Sequence, residues 1–235
     1  MATVKVIDII ERVEHVLQDT SIRWPRTELQ SWINESYLAI TLLRPDANAK
    51  ADTFTCAAGS RQVLTKTGGG GFPSALQLLD VTRNMKSGST LKAVRLVSRA
   101  VLDDQRPTWH AETQSDNIQH YMHDPRQPKE FFVYPPATAT AQVEVIYADA
   151  PAGHALTESQ LDPAASSPDT TVINLDDIYM SPMIDWVLYR AYSKDAEYGA
   201  NEQRAQAAYG AFNAAIGAKS QTDSAVSPKI ATSVT

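Results

Sequence analysis

The sequence predicts an α+β protein, with helices at both ends of the chain and strands between them. Apolar residues recur at helical spacing before residue 45 and again after residue 176. Short β-prone runs punctuated by turn residues fill 51–150. Pro25 and Pro182 stand near expected helix starts, and Pro45 at an expected stop.

The first helix is expected over residues 4–17, with Ile7, Ile10, Val13, Val16 and Leu17 on one face. Thr3 is its expected N-cap, and Asp19-Thr20-Ser21 ends the segment. A second helix follows Trp24-Pro25 and carries Leu29, Trp32, Ile33, Tyr37, Ile40 and Leu43 as one stripe. Arg44-Pro45 stops it, and the short connection predicts an antiparallel hairpin of the two helices. Residues 53–56 and 61–64 flank Ala57-Ala58-Gly59-Ser60 and read as a β-hairpin. Residues 76–82 and 93–97 are further strands, with a short helix over 98–104. Residues 118–123, 130–134 and 142–147 read as a three-stranded antiparallel meander, and Pro135-Pro136 closes its second strand. Residues 149–175 lack periodicity and read as a long loop or arm.

Asp176-Asp177 complements the N-terminal dipole of the third helical region, whose apolar face is Met183, Ile184, Val187, Leu188, Ala191 and Tyr192. A break at Gly199-Ala200-Asn201, with Asn201 capping a fourth helix, is favoured over one continuous helix. Ala205, Ala208, Tyr209, Phe212 and Ile216 keep helical spacing up to Gly217, the expected C-cap. Residues 218–235 have no apolar face and are expected to be disordered alone.

Composition narrows the function. The 235 residues allow one or two domains. A single cysteine, Cys56, excludes an intramolecular disulfide framework and a cysteine zinc site. No apolar run approaches a membrane span, and the N-terminus reads as neither a signal nor a transit peptide. The charge of 21 − 27 = −6 argues against a protein that grips phosphates. It does not forbid DNA passing nearby without being held.

The chemical motifs are weak. Gly68-Gly69-Gly70-Gly71 precedes Phe72-Pro73, which blocks phosphate-loop geometry, so a flexible loop tip is expected. His110-Ala111-Glu112 lacks the cysteine pair of a zinc deaminase, and Trp109 reads as a packing residue. His120 and His123 stand three apart on a strand and point to opposite faces. Asp103-Asp104 and Asp176-Asp177 are carboxylate pairs of a kind that can bind magnesium, but each sits at an expected helix end or start, and capping is the simpler account. Cys56 reads as a small core hydrophobe. No catalytic residue, metal ligand or cofactor is assigned. The run 189–195 is richer: Tyr189, Arg190, Tyr192, Lys194 and Asp195 fall within two helical turns. That pattern fits a solvated helix face and a protein–protein surface alike.

The chain resembles a family of tailed-bacteriophage head–tail adaptors, also called connector or neck proteins. The resemblance runs over about residues 4–217. It rests on Arg23-Trp24-Pro25, Trp32, Asn34 and Arg44-Pro45-Asp46-Ala47, and on Asp80-Val81-Thr82-Arg83-Asn84-Met85. Further on it rests on Leu102-Asp103, Trp109-His110, Asp124-Pro125, Phe132-Val133-Tyr134-Pro135-Pro136, Tyr147, Asp177, Tyr179, the 189–195 run, Arg204-Ala205 and Phe212. It implies an antiparallel helical bundle made from the N- and C-terminal segments, with an inserted antiparallel β-rich domain. The expected parts are an N-terminal helical hairpin (1–50), the β-rich insertion (51–150), an arm (151–175), C-terminal helices (176–217) and a flexible tail (218–235).

The resemblance further implies a non-enzymatic virion protein at the head–tail junction, assembled in the host cytoplasm. Such adaptors form a homo-oligomeric ring, commonly a dodecamer, beneath the portal protein. The ring continues the DNA channel, without sequence-specific binding or membrane contact, and offers a platform to a tail or nozzle protein. An acidic lumen would let DNA slide. Ring contacts are heterologous, and Tyr189, Arg190, Tyr192, Lys194 and Asp195 are the candidate face. Val226, Ile230 and Val234 are candidate anchors of a portal-docking tail. The alternatives are another tail or neck protein, such as a tail-completion protein, and a metal-dependent enzyme built on Asp103, His110, Glu112, His120 and His123.

Overall fold

The computed structural model describes residues 2–67, 69–86, 91–165, 168–195 and 199–226. In chain order these form α1 (Val6–Leu17), α2 (Arg26–Leu43), β1 (Ala49–Thr55), β2 (Gly59–Val63), β3 (Ala75–Asn84), β4 (Arg95–Leu96), α3 (Arg99–Gln105), β5 (His120–His123), β6 (Glu130–Ala137), β7 (Gln142–Asp149), α4 (Met180–Lys194) and α5 (Gly199–Val226). The protein is α+β. It divides into two compact units, a helical one (Met1–Arg44 with Pro151–Thr235) and a β-rich one (Pro45–Ala150).

In the helical unit α1 and α2 both pack on α4, and α4 on α5. Ile9, Ile10, Val13, Leu29, Ile33, Ile40, Met183, Val187 and Phe212 are buried there. Thr3 does not cap α1. Lys5 holds that position, and its N–H donates to Asp8 at 2.9 Å. Thr3 instead donates to the Asp177 carboxylate, through its N–H at 2.8 Å and its hydroxyl at 2.6 Å. Two helices are present rather than one, but Gly199-Ala200-Asn201 is not the break: α4 ends earlier, at Lys194, and these residues begin α5, so Asn201 is not its cap. It is buried in the first turn and donates to the Asp195 carboxylate at 2.8 Å. Gly217 does not end α5, which continues to Val226. An internal glycine lowers helix propensity by about 1 kcal/mol without forbidding the helix.

The 151–175 segment is a strap rather than a free arm. Asn34 brackets His154, accepting from its N–H at 2.8 Å and donating to its C=O at 2.9 Å. Gln30 does the same to Leu156, at 2.9 and 3.3 Å. Four residues of helix and two of extended chain both advance roughly 6–7 Å, so the repeats match. Beyond this, the Glu158 carboxylate accepts from the N–H groups of Arg26 and Thr27, both at 3.0 Å, and from the Ser21 hydroxyl. It thereby supplies the N-terminal cap that Pro25 cannot. Arg26 then bridges Glu14 at 2.7 Å and Asp162 at 3.0 Å. Farther on, Val6 N–H donates to Thr171 and Ile173 N–H to Val4, a short antiparallel bridge along the start of α1.

The β-rich unit holds a three-stranded sheet, β1-β7-β3, and a four-stranded sheet, β2-β6-β5-β4. Both sheets contribute to one core, which includes Phe54, Leu64, Leu78, Val81, Phe131, Val133, Val143 and Val145. The expected hairpin is absent: β1 pairs with β7 and β2 with β6, in different sheets. Fully buried Gln62 makes the corner possible. Its amide accepts from Ala57 N–H at 2.7 Å and donates to the carbonyls of Ala57 and Gly59. These are groups that a hairpin ladder would have satisfied.

The meander is likewise broken. β5 and β6 pair antiparallel, but β7 crosses to lie between β1 and β3. β6 continues through Pro135-Pro136 to Ala137. Antiparallel pairing is not universal either, because β4 runs parallel to β5. The glycine run is more than a loop tip. Gly70 has φ +77°, and a Cβ there would stand 2.6 Å from the Thr55 Cβ and 2.9 Å from its backbone N. Phe72 then stacks on Tyr147 at 4.4 Å.

Candidate functional site

The Tyr189–Asp195 run lies at the end of α4, and its charges are engaged within the helical unit. Arg190 pairs with Glu35 at 3.0 Å and Lys194 with Glu28 at 2.7 Å, both on α2. Asp195 pairs with Arg23 and accepts from Asn201. Tyr189 packs against Trp186 and Tyr209, with ring centroids 5.6 and 5.0 Å away. Arg204 lies over the Tyr192 ring at 5.8 Å. The sequence reading missed the acidic partners. Glu28 and Glu35 stand seven apart on α2, and Arg190 and Lys194 four apart on α4. Both spacings keep a pair on one helix face, so opposite charges on two helices were the available signal.

Of the run, only Tyr192 and Asp195 reach a groove of about 590 Å³, which they line with Leu17, Arg23, Trp24, Asn201 and Arg204, among others. Trp24 in its lining is buried, whereas Arg23 and Arg204 are exposed. A groove with aromatic walls and accessible guanidinium groups has the chemistry of a protein contact. Two turns before Tyr192 on α4, Asp185 has no ion pair among the described residues, and burial pushes its carboxyl pKa up. Val226 is the last residue of α5. Ile230 and Val234 lie outside the described residues.

Asp103, His110, Glu112 and His123 of the enzyme alternative each have a separate partner. Asp103 accepts from Trp109 Nε1 at 2.8 Å, which holds its carboxyl below the usual range, with Arg99 adding to the effect. His110 Nδ1 meets the Ser60 hydroxyl at 2.7 Å, Glu112 accepts from Tyr134 at 3.0 Å, and His123 Nδ1 meets the Glu130 carbonyl at 3.0 Å. His120 stacks on Tyr134. Among the described residues no three His, Cys, Asp or Glu side chains come close enough to hold a metal ion. Trp109 is fully buried. Cys56 is buried too, and burial pushes its thiol pKa up to about 12.

An α+β chain with a groove walled by an ion pair and aromatic rings has a surface suited to binding other proteins. The family model described as SU10 adaptor protein matches residues 4–231. The chain belongs to this family of phage head–tail adaptors, which is structural rather than enzymatic and implies a place in the virion. A comparison with curated proteins finds no match. No helix among the described residues is long and apolar enough to cross a membrane.

Proposed function

We propose that the protein assembles as a ring, commonly of twelve copies in such adaptors, beneath the portal at the head–tail junction. The ring continues the DNA channel and presents a platform to a tail or nozzle protein. The helices of the first unit form the bundle of each ring subunit, and the groove walled by Tyr192 and Asp195 lies at the subunit contact. The C-terminal arm anchored by Val226, Ile230 and Val234 docks on the portal.

The observation that carries this reading, beyond the family, is the partition of charge. The helical unit holds 10 cations and 16 anions, a net −6, whereas the β-rich unit holds 11 of each. All of the net acid therefore sits on one unit. Lining a channel with that unit repels the DNA backbone and lets it slide, with no phosphate contacts to release. The test is to mix the purified protein with its portal and image the product. A ring stacked coaxially on the portal, with an acidic lumen, is the expected result. A ring with a net-positive lumen overturns the channel reading, and failure to stack overturns the placement.

A further inference from the structure

The outer face of the four-stranded sheet is covered over only part of its width. Leu102 of α3 and Trp109 seal Met122 and Tyr134 beneath them. At the β4 end the face opens into a cleft of about 360 Å³ lined by Lys92, Arg95, Asn117, Gln119 and His120, among others. Strand register sets Arg95 beside His120, and His120 beside Tyr134. Directly paired residues share a face, so the guanidinium and the imidazole are neighbours.

Three features of this cleft are unmet within the chain. No carboxylate lines it. Lys92 and Arg95 are exposed and make no ion pair among the described residues. Nδ1 of His120 is buried with no hydrogen-bond partner. A buried polar atom without a partner is uncommon, and beside two free cations it marks a place for an anion. The complementary charge is also present. The helical unit carries the whole net −6, and its Asp185 and Glu202 make no ion pair among the described residues.

We propose that the Lys92–Arg95–His120 cleft receives a carboxylate from the helical unit of a second copy of this chain. The inference rests on the ring reading and deepens it, naming the second face of a heterologous subunit contact. In a ring the acidic units repeat at close intervals and repel one another. A cationic cleft on each neighbour offsets that repulsion and fixes which face meets which.

Sedimentation velocity of the full chain over a concentration series tests this, at about 50 and 500 mM salt to vary screening. The expected result is self-association that weakens with salt. The double variant Lys92→Glu with Arg95→Glu should raise the midpoint concentration about tenfold or more, a loss within the range of interfacial charge pairs. Lys92→Gln with Arg95→Gln should raise it less, and the melting temperature of each variant shows that it folds. An unchanged midpoint in folded variants overturns the proposal, as does a wild-type chain that never self-associates. A coaxial ring formed on the portal by either variant as readily as by wild type overturns the cleft while leaving the ring reading standing.

Discussion

Single residues hold this fold at places where local propensity fails. Glu158 caps α2 from more than a hundred residues away, at a helix start where Pro25 has no side-chain oxygen to offer. Replacing it with Ala removes the cap and should cost about 1–2 kcal/mol in urea or thermal denaturation. Burial pushes its carboxyl pKa up, but the donors Ser21, Thr27 and Arg26 outweigh that and hold it below its ordinary value. Its stabilisation is therefore present above the ordinary glutamate pKa and is lost as pH falls through the lower folded value.

His154 behaves with a related sign. Burial lowers its pKa below 6.5, against the opposing pull of Asp169, so the folded state favours the neutral ring that meets Tyr37 Oη at 2.8 Å. Stability should be full above pH 6.5 and fall below it as the unfolded chain takes up the proton. Comparing melting temperatures from pH 7.5 to about 5 in wild type and His154→Gln checks this, because the variant loses that part of the slope. Gly70 is the third case. Gly70→Ala combines a positive φ with a clash on Thr55 and should destabilise by about 1–3 kcal/mol.

At the scale of elements, sequence patterns revealed what each segment is better than whom it meets. The helical spacing of Ile7, Ile10 and Val13 is local, and α1 is where it predicts. The partner of β1 is β7, almost ninety residues later, and no turn signal near Gly59 could announce it. The strap was illegible for a different reason. Gln30 and Asn34 look like ordinary polar positions until an extended chain lies across them. Of the candidate face, the residues 189–195 were legible as a dense run, but the carboxylates of Glu28 and Glu35 that engage it were not.

Asn34→Ala strips both hydrogen bonds from the His154 backbone and should cost about 1–3 kcal/mol. Hydrogen exchange should report the loss first at residues 154–161. α5 offers the opposite sign. A Cβ at Gly210 would meet nothing within 4 Å, so Gly210→Ala should stabilise the helix by about 1 kcal/mol, read as a higher melting temperature.

At the scale of the whole molecule, the two units differ in chemistry as well as in fold. One is helical and acidic; the other is a neutral pair of sheets around one core. Ala49 pairs directly with Ala148, so the two ends of the β-rich unit lie about 5 Å apart where the chain enters and leaves. A short Gly-Ser linker can therefore replace 45–150. The shortened chain should keep a cooperative, helix-rich melt by circular dichroism, and loss of cooperativity would show that the helical unit does not fold alone.

Those adjacent ends also set how the β-rich unit bears mechanical load. A pull transmitted through the chain reaches β1 and β7 at the same end, and these two strands are neighbours. Tension draws the two ends apart across the ladder, so its hydrogen bonds open one pair at a time from the Ala49–Ala148 end. The unit is thus loaded by unzipping rather than in shear, the less resistant geometry, and under force it should open from that end before its core is disturbed.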